Sequence, residues 1–280
     1  MNTKFDIDLT NKVVVITGAG GVICGAIARE LAASAAKIAL LDLNKPAADL
    51  VADDINASGG CAVAYECNVL DKQSIQTVHD KIVSELGLCD ILINGAGGNN
   101  PRATTDNEFC VLGEQVDKDF FALDEKGVSF VFDLNFIGTF LPTQVFAKDM
   151  LARKGCSILN ISSMNAYTPL TKIPAYSAAK AGISNFTQWL AVHFAKAGIR
   201  VNAIAPGFFV TNQNRALLFD KDGNPTARTN KILNATPMGR FGEVEELFGA
   251  TKLLLSEHEA SFITGVVIPI DGGFSAYSGV

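Results

Sequence analysis

Seven short apolar runs recur along the chain, at residues 12–17, 37–42, 62–66, 90–94, 157–162, 199–205 and 266–270. They are rich in valine, isoleucine and leucine and are bounded by glycine, aspartate or asparagine. They lack the strict alternation of a half-exposed strand, so each reads as a strand buried on both faces. Helices are expected between them, at 25–36, 47–58, 71–86, 130–150, 176–197 and 244–256. Strands in turn with helices form βαβ units, whose right-handed crossovers build a parallel sheet covered on both sides. The expected fold is therefore α/β: one domain over residues 1–280, a Rossmann-type doubly wound sheet of about seven strands. With 280 residues, 48% of them hydrophobic, one large core is within reach. Residues 98–133 and 207–240 break the alternation. They read as substrate-side excursions beyond the carboxyl ends of the strands.

The 23 basic and 29 acidic residues give a net charge of −6, which argues against a nucleic-acid partner. Residues 1–10 carry Lys4, Asp6 and Asp8 and lack the order of a signal peptide. No apolar run approaches the roughly 20 residues that span a bilayer. A cytoplasmic protein with no membrane partner is expected. Cys24, Cys61, Cys67, Cys89, Cys110 and Cys156 are scattered, with no C-x-x-C pair, and read as free thiols. His79, His193 and His258 are far apart, so no metal site is expected.

Residues 17–25, Thr-Gly-Ala-Gly-Gly-Val-Ile-Cys-Gly, lie between the first strand and the first helix. Glycines there let the backbone approach a pyrophosphate, and a helix N-terminus favours the anion. Gly18, Gly20, Gly21, Val22 and Ile23 are the candidate contacts, although a merely tight turn would look the same. Asp42 ends the second run. A carboxylate there accepts hydrogen bonds from an adenosine ribose and repels a 2′-phosphate, and Leu43 and Asn44 offer no arginine to receive one. NAD is thereby favoured over NADP; the plainer alternative is that Asp42 caps the next turn.

Tyr176-Ser177-Ala178-Ala179-Lys180 forms a Y-x-x-x-K motif, Ser163 lies 13 residues earlier, and Asn135 closes Asp133-Leu134-Asn135. Residues four apart on a helix share a face, so Lys180 can stand beside Tyr176. Its charge, together with the positive nicotinamide of a bound NAD⁺, is expected to lower the phenol from its ordinary pKa of about 10 toward working pH. These motifs follow the glycine turn and Asn94-Gly95-Ala96-Gly97 and precede Pro206-Gly207. In that order the chain resembles the short-chain dehydrogenase/reductase family from Val13 to Phe274. The resemblance implies an oxidoreductase whose catalytic set is Asn135, Ser163, Tyr176 and Lys180. Tyr176 would be the acid or base, and Ser163 would hold the reacting oxygen, with Ser162 as the competing candidate. Lys180 would also bind the nicotinamide ribose, and Asn135 would hold a water leading from Lys180 to solvent. Asn68 and Val69 would lie by the adenine, and Asn94, Ala96 and Gly97 along the cofactor. Pro206, Gly207, Phe209 and Thr211 would lie near its nicotinamide end. The sequence departs from the family's T-G-x-x-x-G-x-G at Val22 and Cys24, and Gly95 stands where asparagine is usual. A different path for this turn is expected, with Cys24 as a small packed residue.

Asn99, Asn100, Arg102, Asn165, Lys172, Asn212, Gln213, Asn214 and Arg215 fall in or near the excursions. They would suit a polyhydroxylated, anionic small molecule, or they are solvated loop residues. Stretches 160–176, 205–215, 238–242 and 271–279 resemble the branch of the family that interconverts D-fructuronate and D-mannonate. That resemblance implies a sugar-acid substrate, with Arg102 or Arg215 on its carboxylate. Two other readings stay open: a polyol or aldonate dehydrogenase such as a gluconate 5-dehydrogenase, and a non-catalytic NAD-binding regulator. The two longest helices and the last strand carry more apolar surface than one sheet face needs, so a homodimer or homotetramer is expected.

Overall fold

The computed structural model describes residues 6–211 and 215–279. Seven strands, β1 (Val13–Thr17), β2 (Lys37–Asp42), β3 (Cys61–Glu66), β4 (Ile91–Asn94), β5 (Ser157–Ile161), β6 (Arg200–Pro206) and β7 (Val267–Ile270), form one parallel sheet. Their order is β3-β2-β1-β4-β5-β6-β7, so the chain reverses direction across the sheet between β1 and β4. This is a Rossmann-like, doubly wound sheet with helices on both faces. The switch point leaves a crevice at the carboxyl ends of β1 and β4.

The helices are α1 (Val22–Ala33), α2 (Lys45–Ala57), α3 (Lys72–Glu85), α4 (Glu125–Phe132), α5 (Gly138–Met150), α6 (Pro174–Phe194), α7 (Arg215–Leu218), α8 (Ala227–Asn234) and α9 (Phe248–Leu255). Polar side chains start several of them. Asn44 accepts from the Ala47 N–H, and Asp71 from the Gln73 N–H, each satisfying a donor with no partner inside its helix.

Side chains alternate between the sheet faces. Val14 and Ile16 of β1 pack with Ile27 and Leu31 of α1 and with Leu254 of α9. Val13 and Val15 pack on the other face with Ile75 and Ile82 of α3, Phe146 of α5 and Leu190 of α6. Each fully buried aliphatic side chain contributes about 1.5–3 kcal/mol, so the all-buried β1 anchors both layers.

Several element boundaries differ from the sequence reading by a few residues, and two helix starts do so for a clear local reason. Helix α1 begins at Val22 rather than 25. Gly18 takes φ +67 and Gly21 N–H donates to Gly18 O at 3.1 Å, so the turn is complete by Gly21. The long helix begins at Glu125 rather than 130, because Asp124 accepts from the Gly127 N–H at 2.8 Å. One wide turn, Asp133–Ile137, joins α4 to α5; wider turns of this kind inside helices often mark functional positions. The continuous run Glu125–Met150 is long and apolar enough by composition to cross a membrane, contrary to the expectation of no such run. Half of its most apolar 18-residue window is buried within the protein, α5 packing on β4 and α3, as a core helix does.

Both excursions carry short elements. The first holds tight turns at Pro101–Ala103 and Phe120–Ala122, and the second holds α7 and α8.

Candidate active site

Parallel register brings Thr17, Asn94 and Asn160 side by side at the carboxyl ends of β1, β4 and β5. Thr17 Oγ1 accepts from the N–H groups of Gly95 and Ala96 at 3.1 and 3.2 Å, which pins the second turn against the first. The two backbones then touch. A Cβ on Gly18 would stand 2.9 Å from the Ala96 backbone, and φ +67 independently favours glycine there.

A groove of about 450 Å³ opens over these turns. Gly18, Gly20, Gly21, Val22 and Ile23 line it, with Asp42, Asn68, Val69, Ala96, Gly97 and Thr211. The first backbone bond of α1 runs from Gly25 N–H to Gly21 O. The N–H groups of Val22 and Ile23 thus lie in the first turn, where intrahelical partners are lacking. Asp42 Oδ2 accepts from the Gly20 N–H at 2.9 Å and Oδ1 from the Asn44 N–H at 2.8 Å. The carboxylate therefore both caps the following turn and faces the groove.

Six residues expected at the cofactor lie outside this lining: Tyr176 and Lys180, described below, and Asn94, Pro206, Gly207 and Phe209. The Asn94 amide is buried, donating to Thr143 Oγ1 at 3.0 Å and Asn160 Oδ1 at 2.9 Å. It ties β4 to β5 and α5. Pro206 and Gly207 end β6 against β7, since a Cβ on Gly207 would meet Asp271 at 2.5 Å. Phe209 is buried against Gly242.

Lys180, Tyr176, Ser163 and Asn135 come together beside the groove. Ser163 follows β5 and starts the turn Met164–Ala166; its hydroxyl accepts from the Asn165 N–H at 3.3 Å and lies near enough to the Tyr176 phenol to affect its ionisation. Ser162 points elsewhere: its hydroxyl donates to Lys180 O at 3.2 Å and meets Ser184 Oγ at 2.8 Å. Lys180 Nζ lies 5.6 Å from the centre of the Tyr176 ring, one turn along α6, and donates to Ile161 O at 2.8 Å. The Asn135 amide donates to Gly98 O and Val131 O, both at 2.8 Å, and its Oδ1 accepts from the Gly98 N–H at 3.2 Å. A Cβ on Gly97 would strike Asn135 Oδ1 at 2.6 Å and Lys180 Nζ at 3.2 Å. Asn135, Lys180 and the groove floor thus meet at one glycine.

The chain's own electrostatics show what lysine and cofactor together must offset. Burial pushes the Tyr176 phenol up to about 12, with the Ser163 hydrogen bond opposing it. Burial also pushes Lys180 down to about 8. In the chain alone, desolvation dominates both groups.

The polar residues expected at the substrate are dispersed. Asn99 donates to Thr104, and Asn100 caps the turn that contains Arg102. Arg102 is ion-paired with Asp124, and its backbone and Cβ pack against Gly127 of α4. The Arg215 guanidinium lies over the Phe219 ring at 5.6 Å. Asn165 is buried beside Ser163, with its Oδ1 unpartnered. Asn212, Gln213 and Asn214 lie outside the described residues. Lys172 does line a cavity, together with Glu108, Phe208, Arg228 and Lys231. Sequence reasoning missed those four because they come from three distant segments and carry no motif.

Comparisons with known proteins agree with this geometry. The family model described as Enoyl-(Acyl carrier protein) reductase matches residues 18–275. An "Uncharacterized oxidoreductase" of Haemophilus influenzae is 63% identical over 281 residues, covering 100% of this chain and 99% of its own length. A solved structure from Haemophilus influenzae, described as a candidate D-mannonate oxidoreductase with bound NAD, superposes with a TM-score of 0.95. It is 64% identical, over 98% of both chains. The structure of a gluconate 5-dehydrogenase from Burkholderia cenocepacia, in complex with NADP and tartrate, superposes with a TM-score of 0.82. It is 28% identical, over 96% of this chain and 97% of that one. With its Y-x-x-x-K helix beside a glycine-lined crevice at the β1/β4 switch point, the chain belongs to the short-chain dehydrogenase/reductase family of NAD(P)-dependent oxidoreductases.

Proposed function

We propose that the protein uses NAD(H) to interconvert a sugar-acid ketone and its alcohol, with D-fructuronate and D-mannonate as the pair. One observation carries the oxidoreductase part: Lys180 and Asn135 meet at Gly97, on the wall of the glycine-lined groove, with Tyr176 one helical turn from Lys180 and Ser163 beside Tyr176. The substrate part is supported by the likeness to the structure described as a candidate D-mannonate oxidoreductase.

The groove fits a dinucleotide on the chain's own terms, since its floor is backbone that a Cβ at Gly18 would block. Gly20, Gly21 and the free N–H groups of Val22 and Ile23 would hold the pyrophosphate. Asp42 would hold the adenosine ribose, Asn68 and Val69 the adenine, and Lys180 the second ribose. A bound nicotinamide supplies or accepts the hydride and, when oxidised, adds positive charge to the site.

The Ser163 and Tyr176 hydroxyls lie near one another, so both would bind one substrate oxygen. Ser163 stabilises charge developing on it, while Tyr176 gives the proton in reduction and takes it in oxidation. A phenol near 12 suits the donor role. The acceptor role needs further positive charge, which Lys180 provides once protonated. Asn135, held on three hydrogen bonds by Gly98 and Val131, keeps the amine of Lys180 and the turn at Gly97 in register.

The same catalytic group would serve an aldonate dehydrogenase, a reading that the gluconate 5-dehydrogenase likeness favours. Exposed aromatic side chains on α4 and α6, with Phe130 at 43% and Trp189 at 56% exposure, support assembly into a homodimer or homotetramer. Free cysteines, two of them exposed, suit a reducing, cytoplasmic setting.

NADH oxidation with D-fructuronate, D-tagaturonate, 5-ketogluconate and D-fructose side by side tests the substrate. Fastest turnover of D-fructuronate is expected, and preference for 5-ketogluconate would favour the alternative. Tyr176→Phe should lower kcat by at least about 100-fold while leaving NADH binding in place. Unchanged turnover in that variant would refute the mechanism.

A further inference from the structure

We infer that the cavity between α8 and residues 170–173 seats the carboxylate of the substrate, with Arg228 as its anchor and Lys172 and Lys231 as supporting charges. The inference rests on the sugar-acid reading above and names the residues that would make it specific.

The cavity measures about 390 Å³, roomy for a six-carbon acid. Its apolar wall includes Leu170, Ile173, Phe208, Ile232 and Phe274. Ile173 lies three residues before Tyr176 on the segment that enters α6, and Phe208 lies just beyond the end of β6. Both segments also frame the catalytic end of the sheet. Three cations line the cavity, Lys172, Arg228 and Lys231, against the single carboxylate of Glu108. Glu108 is spent on Lys231, 2.6 Å away, and that pairing holds its carboxyl below the ordinary range. Lys172 Nζ donates to Asp106 O at 2.6 Å, which fixes the amine at the cavity wall.

Arg228 is singled out by elimination. The chain has seven arginines. Arg29 pairs with Asp54, Arg102 with Asp124, Arg153 with Asp90 and Arg240 with Glu246. Arg200 donates to main-chain carbonyls, among them Leu254 O at 2.7 Å, and Arg215 lies over Phe219. Among the described residues Arg228 alone has no ion-pair, hydrogen-bond or ring partner, and it faces a cavity with excess positive charge. A guanidinium there can take a carboxylate with two parallel, charge-assisted hydrogen bonds. Phe208 and Ile173 would exclude water around it. The expectation that Arg102 or Arg215 does this gives way, since neither lines the cavity.

The test is calorimetric titration of the full-length protein, saturated with NADH so that no turnover occurs, with D-mannonate and with D-mannitol. Wild type should bind D-mannonate at least about tenfold more tightly than its uncharged analogue. Arg228→Met should bring the two within about threefold, Arg228→Lys should keep part of the preference, and Lys172→Met should lose less than Arg228→Met. Arg228 is exposed on α8, and equal Tm values will verify that the variants fold. No preference in wild type, or an undiminished preference in Arg228→Met, would overturn the inference. A wild type that keeps the charge preference yet fails to reduce D-fructuronate would count against the substrate reading and not against the anchor.

Discussion

Cys24 and Gly95 occupy one shared volume: the Cys24 thiol fills the place that a side chain at position 95 would take. The two departures from the family pattern in the cofactor turns are thus one compensated exchange. Cys24 is buried, and burial pushes its thiol up to about 12, with Lys180 opposing and Asp42 adding to the shift. It is an uncharged packing group under the groove floor.

This coupling predicts a strong sign change in a double-mutant cycle. Gly95→Ala should destabilise by about 1–3 kcal/mol through overpacking. Adding Cys24→Gly should recover part of that loss, although alone it removes packing and places glycine in a helix, at a cost of about 1 kcal/mol. Urea denaturation of the four proteins should give an interaction of about 1–2 kcal/mol. Additive effects would show that the two positions do not share space.

This pair also marks how far the sequence could be read. Both departures were visible as letters, but their contact was not, because 71 positions separate them and no local rule joins them. The sheet was legible, since a strand buried on both faces leaves a dense apolar run. The nearness of the candidate catalytic pair was legible because Tyr176 and Lys180 lie on one helix at fixed spacing. The start of α4 was missed although Asp124 and Glu125 are an ordinary helix-start signal; the polar excursion before them masked it. Arg228 was out of reach, because its meaning lies in having no partner, and partners are a tertiary property. The rise of the Tyr176 pKa was missed for a related reason: spacing shows which charges are near, while burial sets what they are worth.

Asp42 holds two backbone N–H groups and faces the groove, so its charge and its geometry can be separated. Asp42→Asn keeps an acceptor but removes the repulsion toward a 2′-phosphate. The ratio of kcat/KM for NADH over NADPH should fall by at least about tenfold, mainly through a lower KM for NADPH. Asp42→Ala should in addition raise the KM for NADH, because the Gly20 and Asn44 N–H groups lose their acceptor. Steady-state kinetics with both coenzymes decide this. An unchanged ratio in Asp42→Asn would mean that selectivity is set elsewhere in the groove.

Lys180 should make the fold weaker at neutral pH while serving the chemistry. It is 3% exposed, and burial pushes its amine from 10.5 down to about 8. This is the reverse of a lysine that gains a carboxylate partner. Between about pH 8 and 10.5 the unfolded chain holds a proton that the folded one has given up. Stability therefore rises with pH across that window, and below it the burial penalty is paid in full. Lys180→Met removes the charge and should stabilise the protein at pH 7 by about 1–3 kcal/mol, despite losing the hydrogen bond to Ile161 O. The advantage should shrink as pH climbs from 8 toward 10.5, where wild type sheds the same charge. Activity of the variant should fall by at least about 100-fold at every pH. Urea denaturation of both proteins at intervals from pH 6.5 to 10 measures the difference. A gap that stays constant across the window would mean that the amine keeps its proton in the folded state, held by a charge that the chain alone does not supply.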